Sequence, residues 1–110
     1  MIPVTIERVD GGVVLTPQGR LTVVSVPSLR DAVAEALTDR GTIIVVNLAE
    51  TTFVDSSGLG ALVSGLKSAR QAGGDLRLVA PSEQVSMVLR LTNLDRVLQP
   101  RASVDEALRD

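Results

Sequence analysis

The chain has 110 residues, 45% of them hydrophobic, with a formal net charge of −2 and neither histidine nor cysteine. That length and apolar share suffice for one core, an aliphatic one because Phe53 is the only aromatic residue. The missing residue types exclude disulfides, thiolate zinc sites, cysteine nucleophiles and any Ser-His or Cys-His dyad made within the chain. Eleven basic against thirteen acidic residues, with almost no aromatics, leave no charged stripe or stacking platform for nucleic acid. The first eight residues contain no basic leader followed by a long apolar stretch. The longest strongly apolar run, Ile43-Ile44-Val45-Val46, is far too short to span a bilayer. A cytoplasmic chain with no direct membrane insertion is expected, and a binding module is favoured over an enzyme.

Val4-Thr5-Ile6-Glu7-Arg8 alternates as a half-buried strand does, Asp10-Gly11-Gly12 signals a turn, and Val13-Val14-Leu15-Thr16-Pro17 resumes the extended pattern. These two segments should form an antiparallel hairpin. Gly19-Arg20-Leu21-Thr22 leads into a connection ending at Pro27. A helix is expected over residues 28–40, with Leu29, Ala32, Val33, Ala36 and Leu37 on one face and Gly41 as its stop. Residues 42–48 are β-branched and continuous, the pattern of a central strand covered on both faces. A second helical pattern carries Leu59, Leu62, Val63, Leu66 and Ala69 to about Ala72 and stops at Gly73-Gly74. Residues 75–80 read as a third buried strand. Pro81-Ser82-Glu83 opens a third helix through about Leu91, Val97-Leu98 reads as a short last strand, and residues 102–109 as a final helical turn or two. Alternation of strands with helices implies parallel pairing and right-handed crossovers. The expected fold is α/β: a mixed β-sheet, hairpin first and parallel strands after, with about four helices packed on it in a single domain over residues 1–110.

Most of the chain reads as core and surface. The exception is Asp55-Ser56-Ser57-Gly58-Leu59-Gly60, between a strand and a helix. Asp and Ser at such a junction accept hydrogen bonds from the free N–H groups of the first helical turn, where the helix dipole also favours negative charge. Gly58 and Gly60 each cost about 1 kcal/mol relative to Ala in a helix, so something should approach the backbone closely there. Ala61, Ser64, Gly65 and Ser68 continue a line of small residues away from the Leu59/Leu62/Val63/Leu66 stripe, flat enough to dock another protein. Three roles are open to this segment. Ser56 or Ser57 is only an N-cap, with the glycines permitting tight packing; the loop binds phosphate, although neither Gly-x-Gly-x-x-Gly nor Gly-Lys-Ser/Thr is present; or a hydroxyl is itself modified. A phosphoserine at a helix N-terminus is compatible with the fold, yet it puts a charge of roughly −2 on a surface already holding Asp55 and Glu50.

Phe53-Val54-Asp55-Ser56-Ser57-Gly58-Leu59-Gly60-Ala61-Leu62 resembles the signature of STAS domains (sulfate transporter and anti-sigma factor antagonist), most of all the stand-alone anti-sigma factor antagonists of bacteria. The likeness runs along the chain. Gly19-Arg20-Leu21, residues 42–48, Gly73-Gly74-Asp75-Leu76 and Leu91-Thr92-Asn93-Leu94 all fall where the family has matching elements. The resemblance implies a partner-switching regulator of transcription. The unmodified antagonist binds an anti-sigma factor with serine kinase activity, and the sigma factor is released. Phosphorylation of the serine after the motif Asp ends the complex, and a phosphoserine phosphatase resets it. The matching serine is Ser56. Asp55 would position the hydroxyl and the loop, Ser57 would cap the helix, and Gly58, Leu59 and Gly60 complete the switch loop. ATP and magnesium belong to the kinase, so no cofactor is expected of this chain.

Many such antagonists carry Asp after Gly-x-Leu, where this chain has Thr22. The following Val23-Val24-Ser25-Val26 is apolar for a loop and either tucks under the first helix or joins a docking patch beside Ser56. Thr22, Val23, Val24, Ala61, Ser64, Gly65 and Ser68 are the candidate partner-binding residues. Met87 and Leu91 belong either to an adaptable rim of that interface or to the core. Lys67, the only lysine, reads as a solvated side chain rather than half of a Ser-Lys dyad with Ser56, and the arginines as surface charge. Two other functions remain open. One is a constitutive STAS adaptor in a signalling scaffold or lipid-transporter complex. The other is a serine hydrolase, for which histidine and Gly-x-Ser-x-Gly are both missing.

Overall fold

Asp10 and Gly11 close a two-residue hairpin between β1 (Val4–Val9) and β2 (Gly12–Pro17), Gly11 supplying the positive φ of 93° that the turn needs. The computed structural model of the protein describes residues 4–109. Beyond the hairpin, β4 (Ile43–Asn47) pairs parallel to β2, and β6 (Asp75–Val79) parallel to β4, giving the order β1-β2-β4-β6. The mixed sheet expected from the alternation is therefore present.

Helices cover both faces unequally. On one face α1 (Val26–Ala36), α2 (Ser56–Gln71) and α3 (Glu83–Leu91) bury Leu29, Leu62, Leu66 and Leu89 against Leu15, Ile44, Val46 and Leu78. On the other, α4 (Val104–Arg109) places Ala107 over Val14, Val45 and Val79. Ile44, Val45 and Val46 are all fully buried. This is why β4 reads as an unbroken apolar run: its successive side chains point to opposite faces and each face is dry.

A second, two-stranded sheet pairs β3 (Gly19–Leu21) in parallel with β5 (Thr51–Val54). Both segments read as connections in the sequence, being too short for a period to show. They are fastened to the main sheet by the Thr51 hydroxyl, which donates to the Pro17 carbonyl (3.0 Å), and the Gly19 N–H of β3 donates to Glu50 just ahead of β5 (2.9 Å).

Other expectations require correction. The first helix begins at Val26, with Pro27 in its first turn, where a missing N–H costs nothing. It ends at Ala36 rather than Arg40, and the Thr38 hydroxyl folds back onto the Glu35 carbonyl (2.9 Å). Val97-Leu98 is not a strand. Asn93 turns left-handed (φ 60°), a 3-10 turn spans Leu94–Arg96, and the Leu98 N–H donates to Leu94 (2.8 Å), carrying the Leu98 side chain into the core. Strand-like contact is made only at Arg101, in one parallel bridge to Val79. In β1 the residues between Val4 and Val9 are all exposed, because this strand is the sheet's edge and neither helical layer covers its centre.

Arg77 is no ordinary surface charge. Its side chain is 13% exposed, its Nε meets Asp75 Oδ2 at 3.2 Å, and its Nη1 donates to the Ala107 carbonyl at 2.6 Å, tying α4 to the sheet. Partial burial opposes the charge on Asp75, but the Leu76 N–H and the guanidiniums of Arg70 and Arg77 outweigh it, holding the carboxyl below its ordinary value of 3.8. A depressed carboxyl stabilises the fold above its unfolded-state pKa, and that contribution is lost as pH falls through the folded-state value. Asp75→Asn should therefore lower stability by about 1 kcal/mol near neutrality, a deficit that shrinks toward zero in urea titrations run well below pH 3.8.

Candidate functional site

β5 delivers the chain to the head of α2, and three elements meet there. Asp55 is extended (φ −107°, ψ −173°) and serves as N-cap, its Oδ1 accepting the Gly58 N–H at 2.9 Å. Its own N–H donates to the Leu21 carbonyl at the end of β3 (3.3 Å). From α3, the amide of Gln84 accepts the Val54 N–H (3.2 Å) and donates to the Val54 carbonyl (3.5 Å), acting as a neighbouring strand for β5. Gln84 carried no signal in the sequence, since a glutamine in the first turn of a helix belongs to no motif.

Asp55 is the cap, so the capping role given to Ser57 by resemblance is corrected. Ser57 is half-buried and its hydroxyl has no hydrogen-bond partner among the described residues. Ser56, one residue past the cap, is exposed, and its hydroxyl likewise bonds to none of the described residues. The fold does not use that oxygen. Gly58 is buried under β3 and β5. A methyl group there would press on the Leu21 carbonyl and lie 2.7 Å from Val54 Cγ2, so a close approach does require this glycine. At Gly60 the expectation fails: it is exposed, and nothing lies within 4 Å of the place a methyl would take. Leu59 is buried.

Gly60 instead gives depth to a groove of about 440 Å³ that begins at Ser56 and runs along α2 past Leu59, Val63 and Ser64 to Lys67, with Leu94 as its far wall. Ser56 and Lys67 stand eleven residues apart on one helix, about 16 Å, which rules out a dyad between them. Of the line of small residues, Ala61 and Gly65 are buried, and a methyl on Gly65 would be 3.0 Å from Leu76 Cδ1 and 3.6 Å from Val33 Cγ2. They bring α2 close to α1. Ser64 and Ser68 are the exposed members, lining a smaller groove of about 280 Å³ with Arg30.

The loop after β3 does not tuck away. Ser25 is buried, its Oγ accepting the Thr22 N–H (2.8 Å) and donating to the Arg20 carbonyl (2.9 Å), while the N–H groups of Ser25 and Val26 both donate to Thr22 (3.0 Å). That bonding makes a fixed knuckle. Val26 enters the core, whereas Val23 and Val24 project at 67% and 73% exposure, and Thr22 is half-buried at the base. Since Leu21 also receives Asp55, the knuckle and the Ser56 turn spring from the same junction. Arg20 lies over the half-buried Phe53 ring, 4.5 Å from its centroid. Met87 and Leu91 are exposed on the outer face of α3, at 47% and 76%, and are not core. Among the described residues, no group of three acidic side chains is placed to hold a metal, and no helix is long and apolar enough to cross a membrane.

Known proteins share this architecture and its junction. The STAS domain pattern matches residues 3–107. A Thermotoga maritima protein, provisionally named an anti-sigma factor antagonist, is 34% identical over 103 residues, covering 93% of this chain and 91% of its own. Its crystal structure superposes with a TM-score of 0.85. The anti-sigma-B factor antagonist of Bacillus subtilis is 27% identical over 97 residues, 88% of each chain. The antagonist SpoIIAA, solved in its unphosphorylated form, matches with a TM-score of 0.79 at 25% identity over 96% of this chain and 93% of its own. Its phosphorylated form, from Bacillus, shares the fold with a TM-score of 0.72 at 23% identity, covering 97% of each chain. The chain belongs to the STAS domain family. Its relatives among the anti-sigma factor antagonists are regulatory binding proteins rather than enzymes.

The two glycines of this turn should separate in experiment. Gly58→Ala is expected to cost about 1–3 kcal/mol through overpacking against β3. Gly60→Ala should be neutral or raise stability by up to about 1 kcal/mol through helix propensity. Chemical denaturation of both variants checks the contrast.

Proposed function

We propose that this chain is an anti-sigma factor antagonist whose affinity for its partner is set by phosphorylation of Ser56. The observation that carries the reading is the Ser56 hydroxyl itself: exposed, free of structural hydrogen bonds, at the head of a groove and next to the Leu21–Asp55 junction from which the valine knuckle springs. Unmodified, this surface receives an anti-sigma factor with serine kinase activity, and the sigma factor goes free. The kinase transfers the terminal phosphoryl group of ATP to the Ser56 oxygen, the bond to the bridging oxygen breaks so that ADP leaves, and the hydroxyl proton goes to base or solvent. A phosphoserine phosphatase later hydrolyses the ester. Asp55 and the Leu21 carbonyl hold the turn in place throughout, and Gly60 leaves room beside the hydroxyl. Single-domain, cytoplasmic action without a cofactor of its own completes the reading.

Electrostatics explains why modification releases the partner without unfolding the protein. A phosphate at the first position of α2 sits at the positive end of a 16-residue helix, an interaction worth roughly 0.3–1 kcal/mol in the fold's favour. Toward a docked protein it presents roughly two negative charges beside Asp55. SpoIIAA has been solved in both unphosphorylated and phosphorylated forms, which supports the view that this architecture tolerates the ester.

Ser56→Ala should bind the cognate kinase constitutively, while Ser56→Asp and Ser56→Glu should bind at least about tenfold more weakly, about 1.4 kcal/mol. Equal affinity of all three in titration calorimetry contradicts the switch. Val23→Asp and Val24→Asp, at exposed positions, should likewise weaken binding by tenfold or more while leaving the denaturation midpoint within about 0.5 kcal/mol of the parent.

Thr22 favours one alternative, a constitutive adaptor. It stands where many antagonists have Asp, and its N–H is engaged by Ser25, so the carboxylate near the modified serine is missing. Mass spectrometry of the protein from cells in several growth states separates the two: phosphate on Ser56 supports the switch, and its absence in every state supports the adaptor.

A further inference from the structure

Four of the chain's ten arginines line one pocket. It lies at the far end of α2 from Ser56, about 21 Å along the helix, and holds about 230 Å³. Arg70 comes from the last turn of α2, Arg77 from β6, Arg96 from the 3-10 turn, and Arg101 from the segment bridged to Val79. Asp75 is the one carboxylate among the lining residues, and the cluster stands in a chain whose net charge is −2.

Asp75 organises this cluster. Its two oxygens take the Nε groups of Arg70 and Arg77, each at 3.2 Å. Those two bonds use one nitrogen of each guanidinium, and the Arg77 Nη1 holds Ala107. Arg101 is steadied through Nη1 on the Gln99 carbonyl. The Arg96 side chain makes no hydrogen bond or ion pair with the described residues, and the residue is exposed in the lining. Like charges converging around an open space repel one another unless an anion joins them. Guanidinium presents paired, planar donors that match phosphate oxygens two at a time. The pocket is smaller than the 300–1,000 Å³ usual for a drug-sized ligand, so it admits a phosphate group and little else.

We propose that this arginine pocket binds a phosphate group, either inorganic phosphate or the phosphate end of a small monoester, at a site separate from Ser56. The bound anion would join α2, β6 and the segment leading to α4, adding to the Asp75 link between the first two and to the backbone bonds of Arg101 with Leu78 and Ala80.

The full chain, titrated at constant ionic strength with inorganic phosphate and separately with glycerol 3-phosphate, tests this by amide NMR. Saturable shifts are expected at Arg70, Arg77 and residues 96–101, with a rise in Tm that follows the titration. Binding of both anions, or of free phosphate alone, assigns the site to phosphate as such; binding of the ester alone assigns it to the monoester. Arg96→Gln, a change at an exposed position, should weaken binding at least about tenfold with the fold unchanged, and Ser56→Ala should leave it as it is. Absence of saturable shifts with either anion, the same shifts with sodium chloride, or parental affinity in Arg96→Gln overturns the proposal.

Discussion

The Leu21 carbonyl is the point on which the site depends. It accepts the Asp55 N–H and closes over Gly58, so one oxygen fixes both the entry of α2 and the residue type three positions later. From that contact follow the cap by Asp55, the projection of Ser56, and the start of the knuckle that carries Val23 and Val24. Buried backbone groups must find partners or cost roughly the strength of a hydrogen bond. The junction satisfies that demand with backbone groups and the side chains of Asp55, Gln84 and Ser25, and leaves the Ser56 hydroxyl out of it.

Much of this was legible in the sequence, for identifiable physical reasons. β4 announced itself because a strand buried on both faces needs an apolar residue at every position. The hairpin was marked by Asp10-Gly11, the start of α2 by the Asp55-Ser56-Ser57 string and that of α3 by Ser82. What escaped were features set by tertiary contact. β3 and β5 are three and four residues long, shorter than any pattern can declare. Val97-Leu98 looked like a strand because two adjacent apolar residues carry no period, and the left-handed turn at Asn93 sent Leu98 into the core by a helical route.

The candidate site divides in the same way. The Asp-Ser-Ser-Gly-Leu-Gly string located the turn, but not the division of labour within it. Capping by Asp55 rather than Ser57, and a steric need at Gly58 but not at Gly60, depend on what packs behind the helix. Gln84 could not be read at all, since its role exists only because α3 passes the open edge of β5. Ser25 likewise gave no sign that it would hold the valines outward. Resemblance to the STAS family located the serine; chemistry at the junction explains why a modification there is compatible with the fold.

The family's relatives place this chain among binding proteins, and the functional account reduces to one physical statement: charge added at Ser56 alters an interface and spares the core. Its most direct test compares the protein carrying phosphoserine at position 56, incorporated during synthesis, with the unmodified protein. Affinity for the cognate anti-sigma kinase and the full amide spectrum are measured on both. The account predicts an affinity loss of at least about tenfold, with spectral changes confined to residues 20–26 and 53–64. Equal affinity, or shifts spread through β2, β4 and β6, would contradict it.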